Sequence, residues 1–288
     1  MNINTNNLIT YRKNIFSENG EDGIIEKIFS EIKPKSHLCC EFGAWDGIWA
    51  SNCRNLIINY NWDAIMIEGD PVRYKDLSKT YMNNKTVRCY NKYIDNKENS
   101  LNNILTTEDR NNLDFLSIDI DGLDYEIFED IEFHPKVICI EVNTGHSPDA
   151  NIKISRDIAV NNVGQPLPYF VNIAKTKGYK LVCFTGNAFF VNKELLRNTN
   201  IIPISANDAY LQHLETIPSH VKEHLYFVNN GKVNPHYKYG NSYLSKKELG
   251  LSYLQIIKKL FSINSIKLKS KIIITIKRVN NKLKSLAN

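Results

Sequence analysis

Short apolar runs alternate with longer and more polar segments over the first two thirds of the chain. The runs typical of buried strands are His37–Phe42, Ala64–Glu68, Val87–Tyr90, Phe115–Ile120 and Val137–Val142. Between them, segments such as 49–60 and 72–82 space their apolar residues as helices do. Strands that alternate with helices predict a mostly parallel, Rossmann-like α/β sheet with helices on both faces.

The pattern changes after residue 168. A helical segment at 168–177 precedes two strand candidates, Lys180–Thr185 and Ala188–Asn192, which are separated by a Thr-Gly-Asn turn. This turn chemistry predicts an antiparallel hairpin that closes the sheet.

Four segments follow from these patterns. The polar stretch Ser17–Gly23 precedes the apolar positions of an amphipathic helix, so it predicts a helix start. We therefore divide the chain into an N-terminal lid or flank segment (1–36), a core domain (37–200), a C-terminal substrate-side extension (201–250) and a basic amphipathic tail (251–288).

The net charge of +5 is unevenly distributed. Residues 251–288 hold nine Lys or Arg and no acid, whereas residues 1–250 hold 27 basic and 31 acidic residues. A nucleic-acid-binding domain would carry the positive charge on its folded body, so no nucleic-acid partner is expected. The tail is expected either to lie on an anionic membrane surface or to pack on the body or on a second subunit.

Residues 1–14 contain no continuous apolar stretch, and no window of about twenty apolar residues occurs in the sequence, so we expect no secretion by a signal peptide. The expected location is cytoplasmic, or peripheral at the inner face of the membrane. Its six cysteines form no Cys-x-x-Cys pair, which argues against a zinc knuckle and a disulfide framework.

The first strand runs into an acidic glycine turn, Glu41-Phe42-Gly43-Ala44-Trp45-Asp46-Gly47. A dinucleotide site uses three glycines, and a P-loop adds a lysine, but this turn has two carboxylates that would repel a phosphate. A cationic ligand without phosphate suits it better. S-adenosylmethionine has a sulfonium, an ammonium and an adenosine, so it fits.

Glu68 ends the next strand, where a carboxylate can accept hydrogen bonds from both ribose hydroxyls. The same acid would also serve NAD, and a third reading is that Glu68 and Asp70 cap the helix near Pro71. The predicted cofactor-binding residues are Glu41, Gly43, Ala44, Asp46, Gly47, Ser51, Asn52, Glu68, Gly69, Tyr93 and Asp119.

Six motifs occur in a fixed order: SENGEDGII (17–25), CCEFGAWDGIWASN (39–52), MIEGD (66–70), FLSIDIDGLDYEIF (115–128), CIEVN (139–143) and GYKLVCFTGNAFFV (178–191). This set resembles the FkbM-like family of class I S-adenosylmethionine-dependent methyltransferases. Two positions depart from the family pattern: Ser117, where many members have lysine, and Asp121, where many have glutamate.

Polar side chains at or just past the later strand ends are candidates for the chemistry. We predict Asp119, Asp121 and His146 as candidate general bases. Asp119, Glu141 and Asn143 are oxygen ligands that could hold Mg²⁺ or Mn²⁺. Alternatively, these acids accept hydrogen bonds from backbone amides or contact the methionine ammonium.

The sequence thus predicts an S-adenosylmethionine-dependent O-methyltransferase. The resemblance implies a hydroxyl of a sugar, of a nucleotide-linked precursor or of a surface-polysaccharide precursor as acceptor. Two alternatives remain at this point: an NAD-dependent oxidoreductase, and a non-catalytic module that retained the pocket. A homodimer is left open.

Overall fold

A computed structural model describes residues 7–94, 99–120, 122–146, 148, 153–154 and 164–216. The tail at 251–288, most of the extension at 201–250 and the candidate base Asp121 lie outside the described residues. No helix in the described ranges is long and apolar enough to cross a membrane.

Seven strands form one sheet. They are β1 (Leu38–Phe42), β2 (Asp63–Glu68), β3 (Val87–Asn91), β4 (Leu113–Ile118), β5 (Val137–Glu141), β6 (Tyr179–Phe184) and β7 (Asn187–Asn192). The order across the sheet is β3-β2-β1-β4-β5-β7-β6, and β7 runs antiparallel to both of its neighbours. The predicted parallel α/β sheet and its closing hairpin are both confirmed.

Eight helices are described around this sheet. They are α1 (Glu21–Ile32), α2 (Arg54–Tyr60), α3 (Pro71–Tyr81), α4 (Leu101–Ile104), α5 (Thr107–Asn112), α6 (Asp124–Asp130), α7 (Leu167–Thr176) and α8 (Ala206–Thr216). Short 3₁₀ turns occupy Leu8–Tyr11 and Leu195–Asn198. Helix α8 is the described part of the predicted extension, and it packs against β6.

Successive strand residues point to opposite faces of the sheet, so each face buries its own apolar layer. One layer joins Cys40, Phe42 and Ile65 to Phe128 of α6 and Phe170 of α7. The other layer joins Cys39, Ala64 and Met66 to apolar side chains of α1, α2 and α3. Burial on both faces explains why these strands are continuous apolar runs in the sequence.

Most element bounds lie within one or two residues of the prediction, and two of the differences affect the site. Strand β4 ends at Ile118, so Asp119 and Ile120 lie in the following loop, where the Asp124 carboxylate accepts hydrogen bonds from the amides of Ile120 and Gly122. Helix α2 begins at Arg54 rather than at residue 49. The Asp46 carboxylate accepts the amides of residues 48 and 49, and the Glu41 carboxylate accepts the amide of residue 52, so this stretch forms a loop instead of a helical turn.

Strands β1 and β4 are neighbours at the centre of the sheet, where the strand order reverses. Ligands of open α/β sheets bind in the crevice at this switch point. Gly43 follows β1 with φ +80°, and a Cβ at this position would lie 1.7 Å from the backbone oxygen of Asp119. The loops after β1 and β4 therefore meet only because residue 43 is glycine.

We expect Gly43→Ala to lower the free energy of unfolding more than Gly178→Ala does. Both glycines have positive φ, but a Cβ at Gly178 would meet nothing within 4 Å. Backbone strain costs about 1–3 kcal/mol at each position, and the steric overlap at Gly43 adds about 1–3 kcal/mol more. Urea unfolding measures both variants, and equal losses would contradict the close approach.

Candidate active site

A cavity of about 380 Å³ opens at the carboxyl ends of β1, β2 and β4. Its volume is within the roughly 300–1,000 Å³ of typical small-molecule sites. Most of the predicted cofactor residues line it: Glu41, Gly43, Ala44, Ser51, Glu68, Gly69, Tyr93 and Asp119. Residues that are distant in the sequence thus meet at one edge of the sheet, in what we call the donor pocket.

Glu41 is the penultimate residue of β1, and its side chain is buried, at 4% exposure. Its carboxylate accepts hydrogen bonds from the Ser51 hydroxyl and, at 2.6 Å, from the amide of Asn52. Burial raises the pKa of Glu41 to about 7, although these two hydrogen bonds oppose the rise. Glu41 therefore shapes the loop between β1 and α2 as well as lining the pocket.

Glu68 joins two loops of the same pocket. One carboxylate oxygen accepts the amide of Trp45 at 2.8 Å, and the other accepts the amide of Asp70 at 2.7 Å. A carboxylate has about four lone-pair sites, so each oxygen can still accept a hydrogen bond from a ligand. Asp70 itself caps α3 by accepting from Val72 and Arg73, as the capping alternative predicted for this residue.

Asp46, Gly47 and Asn52 were predicted to bind cofactor, but their described contacts lie elsewhere. Asp46 accepts the amides of Ile48 and Trp49, which closes a turn. A Cβ on Gly47 would lie 2.5 Å from the Tyr81 ring, so this glycine allows the loop to pack on α3. Asn52 donates to the Ser117 hydroxyl at 3.0 Å.

A second and smaller cavity, of about 80 Å³, adjoins the donor pocket. Asp119 and Ala50 line both cavities. The remaining walls come from the N-terminal segment, the end of β5 and the turn between β6 and β7. Asp119 thus lies at the boundary between two spaces, which is where a group that acts on both a donor and an acceptor has to be.

A family comparison indicates the class of enzyme. Residues 90–174, which are 85 of the 288 residues, match the model of the Methyltransferase FkbM domain. This segment is similar to an FkbM methyltransferase domain. This match covers the loop after β4 and therefore Asp119, and it confirms the resemblance that the ordered motifs indicated. No curated protein matches the sequence.

Solved structures of methyltransferases are similar to part of this chain at low identity. A SAM-dependent methyltransferase from Aquifex aeolicus is 14% identical, with a TM-score of 0.36 over 58% of this chain and 86% of that chain. The CMeT domain of the citrinin polyketide synthase is 10% identical, with a TM-score of 0.39 over 60% of this chain and 51% of that chain. The N-terminal domain of EvdMO1, solved in the presence of SAH and D-fucose, is 8% identical, with a TM-score of 0.40 over 61% of this chain and 83% of that chain. These TM-scores lie below 0.5, so the assignment rests on the family match.

The described structure brings two of the three predicted metal ligands to one cavity. Asp119 and Glu141 line the small cavity, but the Asn143 side-chain oxygen accepts the amide of Gly145 at 2.8 Å. No group of three or more His, Cys, Asp or Glu side chains in the described ranges could hold a metal ion. The role of a divalent metal therefore stays a prediction.

His146 follows β5 in a loop and is partly exposed. Burial lowers its pKa, so the neutral imidazole that a general base requires is favoured. It is not among the described residues that line the donor pocket or the small cavity. Its catalytic role also stays a prediction.

Sequence reasoning missed Asp124, Glu18, Asn19 and Asn187. Asp124 is 1% exposed and holds the loop that carries Asp119. The other three line the small cavity. The second acid of the Asp-Gly-x-Asp sequence at 121–124 was a usable signal for Asp124, whereas no local pattern indicates that the segments at 18–19 and 187 meet.

A larger cavity of about 580 Å³ lies at the opposite end of the sheet, beside His37 and Trp62. Both residues immediately precede strands, so this cavity is at the amino ends of β1 and β2. Its lining is largely apolar and includes two lysines and one glutamate. It therefore lacks the convergent carboxylates of the donor pocket.

We expect Glu41→Gln to change how stability depends on pH. The folded protein holds this proton more tightly than the unfolded chain, whose pKa is near 4.5, so the wild type loses stability as the pH rises from 4.5 to 7. The variant lacks this loss. Relative to the wild type it should gain about 3 kcal/mol between about pH 5 and pH 8.

Urea unfolding across this pH range measures the difference. Glu132→Gln, at an exposed glutamate, is the matched control and should run parallel to the wild type. A Glu41→Gln curve that is also parallel to the wild type would contradict the buried, proton-binding carboxyl.

Proposed function

We propose that this methyltransferase transfers a methyl group from S-adenosylmethionine to a hydroxyl group of a sugar, of a nucleotide-linked precursor or of a surface-polysaccharide precursor. One observation carries the choice of donor. The described residues that line the donor pocket include four acidic side chains and no Lys, Arg or His; they are Glu41, Glu68, Asp70 and Asp119. Because burial raises the pKa of Glu41 to about 7, this residue carries only part of a charge at neutral pH. Such a pocket favours a cation and disfavours a phosphate.

The residues present fit this donor. Glu68 would accept the ribose hydroxyls, since each of its oxygens has an acceptor site left beside the Trp45 and Asp70 amides. The exposed Tyr93 ring lies at the pocket wall, where an adenine can contact it. The donor supplies a methyl group that its sulfonium has already activated.

The protein then has two tasks. It must hold the acceptor oxygen in line with the methyl carbon, which is worth up to about 7–11 kcal/mol. It must also take the hydroxyl proton, which adds roughly 10²- to 10⁴-fold. Asp119 suits the second task because it lines the donor pocket and the adjoining small cavity.

The oxidoreductase alternative lacks support from the geometry. A dinucleotide site directs a helix N-terminus at the pyrophosphate directly after the glycine turn. Here α2 begins only at Arg54, and the carboxylates of Asp46 and Glu41 accept the amides of residues 48, 49 and 52. Because these amides already donate to carboxylates, they are not available to a pyrophosphate. The family match is also to a methyltransferase domain.

We expect S-adenosylhomocysteine to bind the full chain and NADH not to bind. Glu68→Gln should weaken S-adenosylhomocysteine binding about 10- to 100-fold, since hydrogen bonds to a charged acceptor become bonds to a neutral one. Isothermal titration calorimetry measures both ligands.

Asp63→Asn is the control for this measurement, because Asp63 is an exposed acid at the other end of the same strand. It should leave the affinity unchanged. Binding of NADH in place of S-adenosylhomocysteine would overturn the proposed donor.

We expect Asp119→Asn to lower kcat by about 10²- to 10⁴-fold because the amide cannot accept the hydroxyl proton. The assay follows a labelled methyl group into a panel of sugars, nucleotide sugars and polysaccharide precursors. Asp76→Asn, at an exposed position on α3, is the control.

An unchanged rate in Asp119→Asn would place the general base elsewhere. Donor binding without transfer to any member of the panel would favour the non-catalytic module instead.

A further inference from the structure

The small cavity beside the donor pocket has a distinctive set of polar walls. Its polar side chains are three carboxylates and three carboxamides, contributed by five separate segments: Glu18, Asn19, Asn52, Asp119, Glu141 and Asn187. At about 80 Å³ it has room for a few water-sized groups, which corresponds to one edge of a sugar ring rather than a whole sugar.

The charge of these walls restricts what can enter. No Lys, Arg or His occurs among the described residues that line the cavity. Three carboxylates without a cation repel phosphate and carboxylate groups, whereas carboxylate and amide oxygens accept hydrogen bonds from hydroxyls. The cavity therefore disfavours anions and suits a group that is rich in hydroxyl donors.

Asn52 supplies an independent observation. Its side chain is 3% exposed, and its Nδ2 donates to the Ser117 hydroxyl at 3.0 Å. Its Oδ1 is buried without a hydrogen-bond partner within the described part of the chain. A buried acceptor left unpaired costs about 1–3 kcal/mol, and a hydroxyl donor in the cavity would satisfy it.

We propose that this cavity is the acceptor subsite, and that it takes an uncharged, hydroxyl-bearing edge of a polyol such as a sugar ring. This inference rests on the proposed methyl transfer to a hydroxyl group. Asn52 and Asn187 recognise the hydroxyls, and Glu18 and Glu141 exclude anions. Any phosphate of a nucleotide-linked acceptor then lies outside the cavity.

The position of the subsite agrees with this role. Asp119 forms part of its wall and part of the wall of the donor pocket, so a hydroxyl held here lies beside the proposed base. Asn187 is 8% exposed and begins β7, where it pairs in register with Glu141 at the end of β5. The hairpin thereby brings an amide next to a carboxylate on the acceptor side.

The test is saturation-transfer NMR on the full chain with S-adenosylhomocysteine bound. The probes are uncharged methyl hexopyranosides, hexose phosphates and aminohexoses. We expect signals from the ring protons of uncharged glycosides and none from the phosphates. Asn187→Ala should weaken glycoside binding about 3- to 10-fold, the value of a lost neutral hydrogen bond.

Two further variants complete the design. Asn192→Ala alters an asparagine at the opposite end of the same strand and should leave glycoside binding unchanged. Glu141→Gln keeps the shape of the side chain but removes its charge, so it should admit hexose phosphates that the wild type excludes. Hexose phosphate binding by Glu141→Gln therefore still tests the assignment if Asn187→Ala does not fold.

Binding of hexose phosphates or aminohexoses in preference to uncharged glycosides would overturn the assignment. So would an absence of any glycoside signal from protein that binds S-adenosylhomocysteine in calorimetry. Failure to bind S-adenosylhomocysteine itself would instead overturn the proposed donor, and the acceptor subsite with it.

Discussion

The close approach of the loops after β1 and β4 is the constraint on which the site depends. Gly43 and the backbone of Asp119 are so near each other that a side chain at residue 43 would overlap the Asp119 carbonyl. This contact lies at the switch point of the strand order, where the two chain connections diverge and leave a crevice. It places the Asp119 loop over the end of β1, and both cavities form around it.

The acidic side chains of this crevice hold its loops in place, and some of them also line the donor pocket. Glu41, Glu68 and Asp124 each accept hydrogen bonds from loop amides, and these bonds hold the loops without regular secondary structure. Two of them, Glu41 and Glu68, also line the donor pocket. An alanine substitution would remove both roles at once, so only substitutions that keep the shape can separate ligand recognition from loop architecture.

The donor pocket and the proposed acceptor subsite differ in size, and Ala50 and Asp119 belong to the walls of both. The donor pocket is wide enough for a small molecule with an adenosine, while the adjoining cavity admits only part of a second molecule. Asp119 lines both. Because each cavity lacks a cation among its described lining residues, a phosphate is disfavoured in both, and in the proposed mechanism the selection between acceptors depends on their hydroxyl groups.

The sequence alone determined the seven strands, the closing hairpin and the family motifs, because each is a local pattern of apolar runs, turn residues and acids. It placed most strand bounds within one or two residues but extended β4 through Asp119 and started α2 too early. Both errors have one cause: Glu41, Asp46 and Asp124 accept backbone amides that a strand or helix would otherwise use. Only the tertiary structure decided which polar residues share a cavity, since spatial neighbours such as Asn19 and Asn187 have no relation in sequence and meet only through the order of the strands.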